Sequence, residues 1–223
     1  MLVRTLAFAI AVLAIANSSL AQPKEPIGRF VVDLRGASVG LPTVVGWVPA
    51  VPEGTEVPAR SFGIEVGAHI YFPPLGPITF GVGATYLKAQ KTSVPPEVGE
   101  GPTPAPPGTI PEVTTRLAGF APQVSMNFGH ANGWSYISFG LGRTNVESEA
   151  VLVPASGTTF PSLESGWTKT LNYGGGARWF INDHIGVGVD VRWHKLSAVP
   201  ASATHPGAQR WTLISAGAGV VLK

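Results

Sequence analysis

The sequence predicts an all-β chain: an eight-stranded antiparallel up-and-down β-barrel that spans a membrane, with four long loops on one side and three short turns on the other. Three observations predict it. Apolar residues alternate with others in blocks of about ten, the length of a membrane-spanning strand. The connections between those blocks alternate long and short. The face opposite the apolar one is filled with glycine and charge, which suits the inside of a narrow barrel better than the polar face of a sandwich.

The N-terminus reads as a signal peptide over residues 1–21. Arg4 supplies the positive start, residues 6–16 the apolar core, and Ser19-Leu20-Ala21 a small-x-small cleavage site that would leave Gln22 first. That run is too short for a spanning helix, and no later stretch reaches the ~18 uninterrupted apolar residues one requires. Residues 22–223 are expected to form a single barrel domain.

After a short leader, residues 29–38 form the first strand, with Phe30, Val32 and Leu34 on one face and Val31, Asp33 and Arg35 on the other. Residues 39–59, with four prolines, are a long loop. The second strand, 60–71, sets Phe62, Ile64, Val66, Ala68 and Ile70 against Ser61, Gly63, Glu65, Gly67 and His69. A proline-rich turn at 72–77 leads into the third, 78–88, where Phe80, Val82, Ala84 and Tyr86 oppose Thr79, Gly81, Gly83 and Thr85. Residues 89–114 carry seven prolines and are expected as an irregular, extended loop.

The fourth strand, 115–128, points Val124, Met126 and Phe128 one way and Gln123, Ser125 and Asn127 the other; Pro122 counts against it, because proline removes a ladder donor. A tight turn at 129–133 joins it to the fifth, 134–146, where Ile137, Phe139 and Leu141 alternate with Tyr136, Ser138, Gly140 and Gly142. Residues 147–165 are another long loop.

Strands six and seven flank Asn182-Asp183-His184 and alternate most cleanly. Ile185, Val187, Val189, Val191 and Trp193 face one way, and Gly186, Gly188, Asp190, Arg192 and His194 the other. Leu171, Tyr173, Ala177 and Trp179 do the same against Asn172, Gly174, Gly176 and Arg178. If Ile181 pairs with Ile185, Gly176 lies opposite Asp190, Gly174 opposite Arg192 and Arg178 opposite Gly188. Each long charged side chain then fills space that a glycine leaves free. The apolar face is expected to meet lipid, where edge amides lack water and the sheet must close. Residues 197–208 are the fourth loop and 209–222 the last strand.

The segment from Gly174 to Trp193, Gly-Gly-Gly-Ala-Arg-Trp-Phe-Ile-Asn-Asp-His-Ile-Gly-Val-Gly-Val-Asp-Val-Arg-Trp, resembles the penultimate hairpin of small eight-stranded outer-membrane β-barrels of the OmpA-like and OmpX-like group. The resemblance covers residues 28–223 and implies the bacterial outer membrane as location, without the peptidoglycan-binding domain of OmpA-like proteins. It also implies long loops that contact other cells, host proteins or phage. The chain departs from the group in ending Val220-Val221-Leu222-Lys223 instead of on Phe or Trp.

The inward charges Asp33, Arg35, Glu65, Arg178, Asp190 and Arg192 balance in sign and are expected to form a paired network that plugs the lumen. Tyr86, Trp167, Tyr173, Trp193 and Trp211 stand toward the long-loop ends of strands and Trp134 and Trp179 toward the short-turn ends, as two aromatic belts would. A net charge of +2 gives no reason to expect a nucleic-acid partner. Without cysteine there is neither a disulfide framework nor a thiolate metal site, and no His-Glu-x-x-His, phosphate loop or calcium loop occurs, so no cofactor is expected.

The reading that follows is a non-enzymatic, monomeric outer-membrane barrel of structural or surface-interaction type. Its partners are membrane lipid and a surface ligand met through loops 39–59 and 89–114. Three alternatives stay open. One is a small pore or hydrophobic-solute channel. Another is a lipid-modifying enzyme using His194 with Ser197. The last is a soluble lipocalin-like barrel, whose apolar face would point inward.

Overall fold

The computed structural model describes residues 25–93, 110–152 and 160–223. The expected signal segment and the middles of the second and third long loops lie outside them. The strands are β1 (Phe30–Gly40), β2 (Arg60–Tyr71), β3 (Ile78–Thr92), β4 (Pro111–His130), β5 (Gly133–Leu152), β6 (Leu163–Glu164), β7 (Thr168–Phe180), β8 (Ile185–Leu196) and β9 (Trp211–Leu222). All strand pairings are antiparallel, and they join neighbours in sequence except that the two-residue β6 merely edges β5, so that β7 pairs with β5 directly, and that the last strand pairs with the first. β9 returns to β1, with Asp33 opposite Val221 and Val39 opposite Ser215. The sheet therefore closes into a barrel of eight strands with no open edge between the first and the last.

Alternation decides which way each residue faces. Val187, Val189 and Val191 are 47%, 37% and 41% exposed on the outside, while Asp190 and Arg192 between them are buried inside. Phe62, Ile64 and Leu141 are more exposed still. A lipocalin-like arrangement, with its apolar face inward, is thereby excluded.

The hairpin register is the one anticipated. Gly176 pairs with Asp190, Gly174 with Arg192 and Arg178 with Gly188. The Ile181 amide donates to the Ile185 carbonyl at 2.9 Å, and the Asn182 side-chain oxygen accepts from the amides of His184 and Ile185, which sets the turn.

Several strands outrun the sequence reading. β3 extends to Thr92 and β4 begins at Pro111, so the ends of the expected 89–114 loop are paired strand, with Ala89 opposite Leu117 and Thr92 opposite Thr114. Likewise β5 runs to Leu152 instead of ending at 146. Only pairing to a partner strand stabilises such lysine-, proline- and glutamate-containing ends, so their own composition did not mark them. Pro122 lies within β4, a central strand. Its missing N–H leaves the β4–β5 ladder without pairs between Phe120–Arg143 and Gln123–Gly140, yet the register on both sides is unchanged.

The barrel interior is layered. Toward the short turns, Ile27, Val31, Tyr71, Trp134, Tyr136 and Val221 form an apolar floor with Phe180 beside it. Toward the long loops, Val39, Leu41, Leu87, Leu117, Val146, Leu196 and Leu213 form a second apolar layer. Trp47, 1% exposed, caps that layer from the first long loop, its indole N–H donating to the Gln209 carbonyl at 2.8 Å. The first and last loops meet so closely that a Cβ at Gly46, whose φ is +99°, would stand 2.3 Å from the Gly207 carbonyl oxygen. Polar and charged side chains fill the space between the two layers.

Candidate functional site

The middle layer of the lumen is built by inward positions of strands that do not all pair with one another. β1 contributes Asp33 and Arg35, β2 Glu65 and His69, β4 Gln123, β5 Tyr136, β7 Asn172 and Arg178, and β8 Asp190 and Arg192. Arg178 reaches across to Asp33, donating from Nε and Nη2 at 2.9 and 2.7 Å. Arg35 lies 2.7 Å from Asp33 through Nη2 and donates to Glu65 at 2.8 Å through Nη1. Arg192 holds Asp190 at 2.7 Å, donates from Nη1 to Gln123 at 2.6 Å and to Asn172 at 3.0 Å, and lies 3.8 Å from Glu65.

All six charged residues named from the sequence thus belong to one connected cluster. Tyr136 stands at its junction. Its hydroxyl donates to Asp190 and accepts from Arg35, and its ring lies 4.1 Å beneath the Arg178 guanidinium. Charges in a space of low dielectric are tolerable only when paired and hydrogen-bonded in this way. The ladder glycines make the room. A Cβ on Gly174 would meet the Val191 carbonyl at 2.2 Å and Arg192 Cγ at 2.9 Å; one on Gly176 would stand 2.8 Å from the Tyr136 hydroxyl.

Sequence reasoning missed the junction. It gave Tyr136 an inward direction, but which residues share a height across a barrel depends on strand tilt and stagger, which alternation does not reveal. Gln123, His69 and Asn172 were passed over for the same reason. Gln123 links Arg192 to His69, with its Nε2 2.7 Å from His69 Nε2.

His194, considered with Ser197 as a catalytic pair, is matched instead with Ser215, whose Oγ lies 3.0 Å from its Nε2. Ser197 lies beyond the end of β8, its amide bonded to the Lys169 carbonyl. Asn172 stands at His194 Nδ1, 3.2 Å away, so Asn172, His194 and Ser215 line up as an amide–imidazole–hydroxyl row. Proton bookkeeping sets its polarity. Because the Asn172 carbonyl oxygen is taken by Arg192, its NH₂ faces Nδ1 and must donate to it. Nε2 then carries the hydrogen and donates to Ser215, the reverse of what a serine-activating base requires. Both side chains are buried, and the adjoining cavity of about 10 Å³ has room for no more than one water molecule. Among the described residues no group of three or more His, Asp or Glu side chains is placed to hold a metal ion.

On the outer wall Tyr86, Trp167, Trp179 and Trp193 are exposed, and half-buried Tyr173 stacks on Trp193 with ring centroids 5.7 Å apart. Lys195 places its ammonium 5.5 Å from the Tyr173 ring. Two of the tryptophans read as belt residues are not on the wall. Trp134 shares the inward parity of Tyr136, is 2% exposed, and stacks on Phe180 at 5.0 Å. Trp211 is half-buried against the apolar layer beneath the long loops. Nearness to a turn suggested a belt; alternation along the strand overrides it.

No family model matches the chain, and no curated protein matches it by sequence. Solved structures do resemble it. Neisserial surface protein A aligns at 11% identity over 87% of this chain and 96% of its own, with a TM-score of 0.48. Ail, the attachment invasion locus protein of Yersinia pestis, aligns at 11% identity over 88% and 99%, with a TM-score of 0.42. The structure of the Yersinia pestis outer membrane protein Ail in a phospholipid bilayer nanodisc aligns at 11% identity over 86% and 99%, with a TM-score of 0.32.

Proposed function

We propose that this chain is a non-enzymatic, monomeric outer-membrane barrel: a plugged cylinder that spans the bilayer and presents its long-loop end as a contact surface. The observation that carries the reading is the inversion of inside and outside. Exposed Val, Ile, Leu and Phe cover the wall, while paired Asp, Glu and Arg are buried in the lumen. In water that exterior would be an apolar patch far larger than soluble monomers expose. In a bilayer it is the required surface, and closure leaves no open sheet edge between the first and last strands to face lipid.

The exposed aromatics Tyr86, Trp167, Trp179 and Trp193, with Tyr173, serve as belts at the headgroup levels under this reading. Signal-directed export over residues 1–21 would deliver the chain to that membrane. The layered lumen argues against a steady pore, since the charge cluster is sealed by apolar side chains on both sides. The reversed polarity of the Asn172–His194–Ser215 row argues against hydrolysis. A surface role is favoured by the first long loop, whose residues 41–52 carry no charge and leave Val44 and Val45 exposed.

The test is expression in a Gram-negative host, fractionation, and gel mobility with and without boiling. The reading expects outer-membrane recovery, a folded band that shifts on heating, and silent planar bilayers. Recovery in the periplasm with heat-independent mobility would overturn it. Stable conductance steps would replace the plugged barrel with the pore.

A further inference from the structure

Of the three short turns, the one between β2 and β3 is built differently from the others. Residues 72–77, Phe-Pro-Pro-Leu-Gly-Pro, hold no polar side chain, and all six are exposed. The turn between β4 and β5 shows His130 and Asn132 to the outside, and that between β7 and β8 shows Asn182, Asp183 and His184. No Asp, Glu, Lys or Arg stands between Glu65 and Lys88, and His69, within that span, is buried in the lumen. The apolar wall therefore continues without a break from Ile70 on β2, through Phe72 and Leu75, to Phe80 on β3. Phe72 is 51% exposed and Leu75 69%.

The backbone of this turn is stripped of free donors. Pro73, Pro74 and Pro77 carry no N–H. Phe72 donates to the Phe80 carbonyl at 2.9 Å, Leu75 to the Ile78 carbonyl at 2.8 Å, and Ile78 back to the Leu75 carbonyl at 3.3 Å. Among the described residues of the turn, only Gly76, whose φ of +62° bends the tip, keeps an amide hydrogen without a protein partner. A turn in water has no need to suppress its donors, because water satisfies them. A turn against lipid does. Its carbonyls still call for donors, and Arg29, whose own carbonyl takes the Tyr71 amide, stands beside it on the rim. Both features put the turn at the boundary of acyl chains and headgroups, not deep in hydrocarbon.

We propose that turn 72–77 is a lipid-contacting element, with Phe72 and Leu75 among the acyl chains just inside the headgroups of the leaflet facing the short turns. The other two short turns lie in the water beyond. The partner is lipid, not a soluble protein, because this surface is continuous with the wall that lipid covers. The proposal rests on the membrane reading above and adds to it which of the three turns enters the bilayer.

The chain has no cysteine of its own, so Leu75→Cys, Asp183→Cys and Val189→Cys can each carry a single nitroxide label on the full chain. Each variant is refolded into phosphatidylcholine vesicles. Collisions of the label with oxygen, which concentrates among acyl chains, are compared with collisions with a water-soluble nickel chelate. The expected oxygen-to-nickel ratio at Leu75→Cys is severalfold above that at Asp183→Cys and approaches that at Val189→Cys. A ratio at Leu75→Cys equal to that at Asp183→Cys overturns the proposal. A turn reserved for a protein partner would give that same result in bilayers holding no other protein. The label on β8 separates the two readings. Lipid at Val189→Cys with water at Leu75→Cys sinks this proposal alone, whereas water at Val189→Cys sinks the membrane reading. Heat-dependent gel mobility checks folding of each sample. Should Leu75→Cys give no folded band, Phe72→Cys is read in its place by the same criteria.

Discussion

Arg178 and Asp33, 145 residues apart in the chain, meet across the lumen through two hydrogen bonds of 2.9 and 2.7 Å. Their strands, β7 and β1, do not pair; β8 and β9 lie between them in the sheet. The contact therefore exists only once the barrel has closed, and it couples closure to the burial of charge. Asp33 also keeps Arg35 at 2.7 Å and His69 at 3.6 Å.

Replacing Arg178 with Met removes one partner and leaves a buried carboxylate under-compensated. The expected loss is about 3–5 kcal/mol, the usual result of breaking a buried pair from one side. Urea unfolding in lipid vesicles measures it. Asp33→Asn added to Arg178→Met should recover part of the loss, because the stranded charge is gone; a double variant less stable than Arg178→Met would contradict the assignment.

The glycines of the β7–β8 hairpin make a second, sharper expectation. Gly174→Ala puts a Cβ 2.2 Å from the Val191 carbonyl and against Arg192, so overpacking should cost about 1–3 kcal/mol. Gly36→Ala on β1, where a new Cβ meets nothing within 4 Å, should fall within about 0.5 kcal/mol of the parent. Equal costs at the two sites would mean that the lumen is not packed as described.

Depth on the wall can be read by charge. Val189 lies in the middle of the outward run of β8, so Val189→Arg should destabilise the inserted barrel by about 2–4 kcal/mol. Thr212→Arg, opposite Lys195 at the long-loop end of the wall, should cost roughly 0–1 kcal/mol. In a soluble barrel both substitutions would be surface changes of similar, small effect, so unfolding in vesicles distinguishes the two environments.

Trp47 is the cap of the apolar layer beneath the long loops. Trp47→Ala empties that position and loses the bond to the Gln209 carbonyl, at an expected cost of about 3–5 kcal/mol. Planar-bilayer recordings of the same variant should remain silent, because the charge cluster and the Trp134 floor still fill the barrel below. Conductance in Trp47→Ala would mean that the cap alone closes the lumen.

Much of the architecture was written in local pattern. A period of two fixed which face each side chain takes, and long and short connections in alternation fixed an up-and-down order. A three-residue turn pairing Ile181 with Ile185 gave the hairpin its register, glycine against charge, and alternation gave the inward direction of Arg178, Asp190 and Arg192. These features need only the chain and its nearest neighbour, so the sequence carried them alone.

What the closed barrel decided lay beyond such pairs. Strand ends at Thr92, Pro111 and Leu152 are held by partners whose alignment no local run specifies. Trp47 came over the mouth from a loop to cover the apolar layer there, and Tyr136 became the junction of the charge cluster through strand tilt. Alternation gives a side chain its direction but not its altitude. Only tilt and stagger around a closed cylinder bring Asp33, Arg178 and Tyr136 to one level, where their charges and hydroxyl can satisfy one another.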